Sequence, residues 1–249
     1  MSGVAIVTGA GSGIGFLVTQ QLLKENYRVI ALDKKQEALL QIQEKLKHPH
    51  LVSKLCDVTD QERVQAIFSE VGDQEGRIDV LFNGVGWMKI GGFLDLSEED
   101  WDLSFQLNLK TVIYCVKSAL PYMKYSDNPC IINLSSIFGV SYDERAIAYS
   151  VSKSAIVVLT QCLAKQLASE RIRVNAILPG PVNTPFIHGL NAQARSIPGG
   201  SRLLMELSFT PLGRLGKAED IAALTVFLIS PQASYITGAC IPIDGGWSL

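Results

Sequence analysis

Along the whole chain, short β-branched runs alternate with stretches whose apolar positions recur every three or four residues. Val4-Ala-Ile-Val-Thr8, Tyr27–Leu32, Leu51–Cys56, Asp79–Phe82, Ile131–Leu134, Arg173–Leu178 and Ala239–Ile243 are apolar runs of strand length. Helical spacing separates them. It is carried by Ile14, Leu17, Val18 and Leu22, and then by the stretch from Lys34 to Lys47. Thr59-Asp-Gln-Glu62 reads as a capping box for a helix through Val71, and Ser97-Glu-Glu-Asp100 starts a longer one carrying Trp101, Phe105, Leu109, Val112 and Val116, with Asn108 near its middle and Pro121 near its end. A further helix runs through Tyr149, Lys153, Ile156 and Leu159, and Lys217 to Ser230 forms the last one, on Ile221, Leu224, Phe227 and Leu228. The alternation predicts about seven strands with helices on both faces, a doubly wound and mainly parallel α/β sheet. From Pro181 to Thr210 the periodicity fades among Pro185, Pro198, Gly199 and Gly200, which predicts a loop over 181–210 that covers a substrate.

Composition narrows the class without changing that picture. The 249 residues suit one domain spanning 1–249, with no internal repeat or low-complexity linker. At 47% hydrophobic and 18% charged, with no uninterrupted apolar run near the roughly 18 residues a span requires, the chain predicts no membrane anchor. Met1-Ser2-Gly3 leads straight into a strand without a leader pattern, so a cytoplasmic location is expected. Five scattered cysteines, Cys56, Cys115, Cys130, Cys162 and Cys240, include no C-x-x-C pair and read as reduced, mostly buried thiols. A net charge of −2 with no basic cluster makes nucleic acid an unsuitable partner. His48 and His50 bracket Pro49 at a loop tip, with no third ligand at a supporting spacing, so no metal site is expected.

Chemistry concentrates where strands end. The first strand closes on Gly9-Ala-Gly-Ser-Gly-Ile-Gly15, four glycines in seven residues opening a helix. Such a turn lets backbone approach a diphosphate, while a helix N-terminus supplies free N–H groups, although a tight turn without a ligand also uses glycine. The second strand ends on Asp33, eighteen residues after Gly15. A carboxylate there suits the two ribose hydroxyls of NAD and repels the extra phosphate of NADP. Asp33 equally suits an N-cap for the helix beginning near Gln36. Ser135-Ser136 ends the fifth strand, and Tyr149 follows Ser136 by thirteen residues. Tyr149 and Lys153 are spaced i, i+4 and share a helix face, so the ammonium is expected to lower the phenol's pKa while Ser136 holds an oxygen beside it. Tyr and Lys also meet at this spacing without any chemistry. An asparagine inside a helix, as at Asn108, reads as a surface or satisfied core amide.

Taken together, Thr8-Gly-x-x-x-Gly-x-Gly15, Asp57, Asn83-x-x-Gly86, Asn108, Ser136, Tyr149-x-x-x-Lys153, Pro179-Gly180 and Thr184 resemble the short-chain dehydrogenase/reductase family, and the resemblance covers Val4 to Gly246. It implies a Rossmann-like fold and an NAD-dependent enzyme, with NADP less suited, in which Asn108, Ser136, Tyr149 and Lys153 are catalytic. Tyr149 would be the general acid/base, Lys153 both its tuner and a ribose ligand, and Asn108 the anchor of a water. The same likeness gives Gly9, Ser12, Gly13, Ile14 and Gly15 to the dinucleotide's diphosphate end and Asp57 with Val58 to its adenine. Asn83 and Gly84 would serve the central sheet and ribose region, and Pro179, Gly180, Val182 and Thr184 the carboxamide end. Gly84 departs from the family's usual asparagine. The family further implies a homo-oligomer, a tetramer or dimer, pairing through Leu103–Met123 and Ser150–Ala168.

Substrate choice rests on the loops. Trp87, Met88, Tyr142, Arg145, Phe186, His188, Arg195 and Arg202 form the expected lining, with Arg145 either reaching a substrate carboxylate or solvated in its loop. The expected reaction interconverts a secondary alcohol and a ketone on a small polar molecule, a hydroxy acid or a sugar-like compound. The alternatives are a 3-oxoacyl thioester reductase, which is generally NADPH-dependent with a basic residue in the glycine turn, and a dinucleotide-binding sensor without turnover.

Overall fold

The computed structural model describes residues 3–194, 203 and 209–249. Seven parallel strands, β1 (Gly3–Thr8), β2 (Tyr27–Asp33), β3 (Leu51–Leu55), β4 (Val80–Asn83), β5 (Cys130–Leu134), β6 (Arg173–Pro179) and β7 (Cys240–Ile243), lie in the order β3-β2-β1-β4-β5-β6-β7. The strands read as continuous apolar runs because both faces are covered. Val4 and Ile6 of β1 pack with Val64, Phe68 and Val116, under α3 (Gln61–Glu75), α5 (Thr111–Met123) and α6 (Ile147–Leu167). Ala5 and Val7 point the other way, to Val18, Ile42 and Ile221 on α1 (Gly13–Lys24), α2 (Gln36–Leu46) and α8 (Ala218–Ile229). The chain leaves β1 toward one edge and returns to β4 on the other side of it. That reversal opens a crevice beyond the carboxyl ends of β1 and β4, where such sheets take their ligands.

Three local expectations change. The cap of α3 is Asp60, whose carboxylate accepts from the Arg63 N–H at 3.0 Å; Thr59 instead gives its N–H and hydroxyl to Asp57. Gly72 does not stop α3 after Val71, because it is buried inside the helix against Tyr122; α3 continues to Glu75 and ends at Gly76, whose φ of +76° favours glycine. The long helix after Ser97 keeps its capping box with Asp100 but is divided: α4 (Glu98–Phe105), a π-helical turn over Gln106–Lys110, then α5. Asn108 sits in that turn, a widening common at functional sites. Within the expected 181–210 loop, Pro185–Ala194 is a helix, α7. Its proline occupies the first helical position, where the missing N–H is not needed, and Leu190 and Ala194 are buried one turn apart.

Ile147–Glu170, comprising α6 and the turn after it, is long and apolar enough to cross a membrane by length and composition, and 44% of its apolar window is buried inside the fold. The missing uninterrupted apolar run concealed this, because Tyr149, Ser152 and Lys153 lie on its buried face. The five cysteines are free; Cys56, Cys115 and Cys130 are buried, Cys162 is exposed and Cys240 half-buried.

Helices α3 and α5 approach so closely that a Cβ on Gly72 would lie 2.1 Å from the Tyr122 ring. Gly72→Ala is therefore expected to destabilise the protein by about 1–3 kcal/mol through overpacking. Urea denaturation measures this, and an unchanged midpoint would mean that Tyr122 swings away freely.

Candidate active site

A cleft of about 590 Å³ runs across the carboxyl ends of the strands. That is the volume range of small-molecule and cofactor sites. At one end lies the turn between β1 and α1. Gly9 and Gly13 take φ values of +67° and +53°, and a Cβ on Gly15 would stand 2.2 Å from the Gly9 carbonyl oxygen. Side chains are excluded there by backbone conformation and by contact. Ser12 precedes α1 without a side-chain cap bond, so its hydroxyl leaves the helix's first N–H groups unoccupied. Gly9, Ser12, Gly13, Ile14 and Gly15 all line the cleft. A backbone cradle at a helix N-terminus fits a diphosphate.

Asp33 ends β2 beside this cradle. Its two oxygens accept from the Gly11 N–H at 2.9 Å and the Lys35 N–H at 3.0 Å. The N-cap of α2 is Lys35, so Asp33 does not cap that helix: its carboxylate turns back to the glycine turn and lines the cleft. Asp57 and Val58, just past β3, line the same end. Burial raises the Asp57 pKa, but two hydrogen bonds from Thr59 and the Lys34 charge bring the net shift below the usual carboxylate range. Backbone donors of the cradle and the acceptor carboxylates of Asp33 and Asp57 at the same end fit a nicotinamide dinucleotide.

The two residues expected in the middle of the cleft, Asn83 and Gly84, part company. Asn83 is 2% exposed and faces the sheet, its amide donating to Asn133 Oδ1 at 2.9 Å, and Asn133 in turn donates to Thr160. It ties β4 to β5 and does not line the cleft wall. Gly84 does line it, and donates its N–H to Thr8 Oγ1 at 3.0 Å. A Cβ at Gly84 would lie 2.7 Å from the Thr8 carbonyl oxygen, so at this spacing of β1 and β4 the position accommodates only glycine.

At the other end, Ser136, Tyr149 and Lys153 come together. Ser136 leaves β5 and accepts from the Phe138 N–H at 3.2 Å, which fixes its hydroxyl beside the Tyr149 hydroxyl, with which it shares a hydrogen bond. The Lys153 amine lies 5.6 Å from the Tyr149 ring centre and donates to the Leu134 carbonyl at 2.8 Å. Ser135 donates to the Lys153 carbonyl at 2.8 Å, and a Cβ on Gly139 would stand 2.9 Å from that same oxygen, so α6 is held close against the end of β5.

Burial shapes the charges of this pair. It pushes the Tyr149 phenol up to about 12, against the lowering effect of the Ser136 hydrogen bond, and brings the Lys153 amine down to about 7. A lowered phenol pKa was expected from a fully charged neighbour. Desolvation instead decides the direction at Tyr149, and at Lys153 it favours the neutral amine.

Asn108 is fully buried behind this wall. Its amide nitrogen donates to the Trp87 carbonyl and Ser152 Oγ, each at 2.9 Å, and its oxygen accepts from the Trp87 N–H at 2.7 Å. It is a satisfied core amide. It also stands next to the pair, since a Cβ placed on Gly86 would be 3.4 Å from Lys153 Nζ and 3.6 Å from Asn108 Oδ1. Pro179, Gly180, Val182 and Thr184 line the cleft from the end of β6, with Thr184 donating to the Val182 carbonyl.

Of the expected substrate contacts, Trp87, Met88 and Phe186 line the cleft, and the Phe186 ring centre is 6.2 Å from that of Tyr149. Arg145 and His188 do not. The Arg145 guanidinium forks onto the Asp143 carboxylate at 2.9 and 2.6 Å, and His188 is exposed and bonded to Asn183. Tyr142 is 76% exposed and lies outside the cleft lining, while Arg195 and Arg202 lie outside the described residues. Several lining residues escaped the sequence reading: Ala38 and Gln41 follow Asp33 at helical spacing, and Ile137, Phe138 and Leu190 close the Tyr149 end. Phe138 stands two residues past Ser136, the one signal that marks it.

Residues 9–248 match the sequence family described as Enoyl-(Acyl carrier protein) reductase. The chain is 37% identical to the 3-oxoacyl-[acyl-carrier-protein] reductase FabG of Thermotoga maritima, over 98% of this chain and 96% of that protein. It is 35% identical to dehydrogenase/reductase SDR family member 6 of Rattus norvegicus, over 99% and 97% of the two chains. Among solved structures, the ligand-free aldohexose dehydrogenase of Thermoplasma acidophilum superposes with a TM-score of 0.87 at 32% identity, covering 99% of this chain and 94% of the other.

Proposed function

The chain belongs to the short-chain dehydrogenase/reductase family, and from that premise we propose that it is an NAD-dependent oxidoreductase interconverting a secondary alcohol and a ketone. One observation carries this reading: Ser136, Tyr149 and Lys153 meet at one end of a single cleft whose other end is a glycine cradle flanked by a carboxylate. A bound nicotinamide dinucleotide takes up or supplies the hydride. The chain does the rest.

Gly9, Ser12, Gly13, Ile14 and Gly15 hold the diphosphate by backbone N–H groups, Asp33 accepts from the adenosine ribose hydroxyls, and Asp57 with Val58 seats the adenine. Pro179, Gly180, Val182 and Thr184 orient the carboxamide end. Ser136 holds the substrate oxygen, and Tyr149 gives a proton to it or takes one from it. Lys153 sets the ionisation of Tyr149 and holds the second ribose, and Asn108 positions the backbone of Trp87 and the start of the proton path behind Lys153.

A 3-oxoacyl thioester reductase is the competing reading, and the Thermotoga relative supports it. The absence of Arg and Lys between Gly9 and Gly15, together with the Asp33 carboxylate on the cleft wall, favours NAD. The expectation of a polar hydroxy acid or sugar rested on a mixed aromatic and polar lining, of which Arg145 and His188 lie off the cleft while Arg195 and Arg202 lie outside the described residues. The reading extends to a cytoplasmic protein and to a homo-oligomer, the latter supported by exposed Leu103, Val151 and Val158 on the helices through which the family pairs.

Absorbance of NADH during incubation with a panel of secondary alcohols, hydroxy acids and acyl thioesters tests the reading. Asp33→Asn is the sharper cofactor test, because it removes the charge and keeps an acceptor for the Gly11 N–H. A hydrogen bond to a charged group is worth about 1.5–3 kcal/mol, so the kcat/KM ratio of NADP to NAD is expected to rise by roughly 10–100-fold. Wild-type protein that binds NADPH at least as tightly as NADH would contradict the role given to Asp33.

A further inference from the structure

The two halves of the cleft differ in charge. Asp33, Lys34, Lys35 and Asp57 all lie at the glycine-turn end. Toward Tyr149 the described lining is mainly apolar, with Trp87, Met88, Phe138, Phe186, Ile187 and Leu190. Most of these belong to one apolar cluster that also takes in Ile90, Leu203 and Trp247, with the Trp247 ring centre 5.6 Å from that of Phe138 in an edge-on contact.

The polar groups nearby are already engaged. Gln193 bonds to Met88 O and to the Ile90 N–H, Arg145 is forked onto Asp143, and the Lys153 amine is bonded to Leu134 O at the end of β5. Among the described residues that leaves the Ser136 and Tyr149 hydroxyls, which together serve a single substrate oxygen, and the Trp87 indole N–H. Among the described residues a carboxylate moved into this end loses its water and meets no cation but Lys153, which the proton relay uses, and a polyol leaves hydroxyls unpaired.

Resting on the oxidoreductase reading above, we infer that the substrate is an apolar secondary alcohol or ketone, carrying one oxygen at the reacting carbon and an aliphatic or aromatic remainder. The hydrocarbon part seats between Met88, Phe138 and Phe186 and is held by burial of its surface. The oxygen is the atom of the substrate that Ser136 and Tyr149 hydrogen-bond.

The test is oxidation of 2-propanol, 2-butanol, 2-pentanol and 2-hexanol beside 3-hydroxybutyrate and glucose, each with NAD and with NADP. With about 0.8 kcal/mol for each buried methylene, kcat/KM is expected to rise roughly fourfold per added carbon. The hydroxy acid, which is 2-pentanol with a carboxylate in place of its outer ethyl group, is expected at least about 100-fold lower than 2-pentanol. Phe186→Ala is expected to flatten the rise with chain length. A hydroxy acid or sugar turned over faster than the alkanols overturns the inference and leaves the oxidoreductase reading standing. Absence of hydride transfer from every compound with either dinucleotide overturns that reading and the inference with it.

Discussion

Replacing Tyr149 by Phe is expected to lower kcat by about 10²–10⁴-fold, the span of positioned acid/base groups, while leaving dinucleotide affinity within about threefold of the wild type. The substitution removes one oxygen and little else. The ring keeps its edge contact with Phe138 at 6.4 Å and its neighbour Phe186 at 6.2 Å, and Ser136 still accepts from the Phe138 N–H. The glycine turn and Asp33 lie at the far end of the cleft and do not touch the ring. Steady-state rates with fluorescence titration of NADH measure the two effects separately. Unchanged turnover would remove Tyr149 from the mechanism, and lost NADH binding would mean that the cleft itself had collapsed.

Lys153→Met is the second large effect, and it moves activity and stability in opposite directions. Activity is expected to fall by at least about 10²-fold, because the ionisation of Tyr149 loses its control. Stability follows from the lowered pKa. Burial holds the folded-state value near 7, against 10.5 ordinarily, so between these values the unfolded chain binds more protons than the folded one. Stability then rises with pH through that window and is lost as pH falls toward 7. A methionine of similar length has no proton to lose, so the variant lacks this rise and is expected to be at least as stable as the wild type at pH 7. Each pKa unit corresponds to about 1.4 kcal/mol, which puts the difference between the two profiles at a few kcal/mol. Urea midpoints from pH 7 to 9.5 read it, below the range in which Tyr149 itself would titrate. Parallel profiles would mean that Lys153 keeps its ordinary pKa in the fold.

Much of the site was legible because its signals are local. Tyr149 and Lys153 share a face by helical spacing alone, and the glycines between Gly9 and Gly15 announce a turn that the positive φ values and the Gly15–Gly9 contact then require. The inner strands were legible because they are buried on both faces and read as apolar runs, and the edge strands β3 and β7 because they keep a short β-branched core. What was not legible depends on neighbours distant in sequence. Asn83 turns into the sheet because Asn133 stands beside it on β5, fifty residues on. Arg145 is the exception, held by Asp143 only two residues away, an attraction that spacing permits but does not require. The direction of the Tyr149 shift is set by burial under Phe138 and Phe186, and that enclosure appears only once α6 and α7 are packed. Helix α7 was hidden because Gly189 interrupts a short apolar pattern whose partners, Met88 and Ile90, lie on another loop.

The most direct test of the proton relay is the pH dependence of kcat/KM for alcohol oxidation between pH 5 and 9. Oxidation needs a pair that has already given up one proton and can accept the alcohol's. The rate is therefore predicted to climb with unit slope and level off above an apparent pKa near 7, while ketone reduction falls over the same range. A profile flat across that interval in both directions would contradict the assignment of the relay to Tyr149 and Lys153.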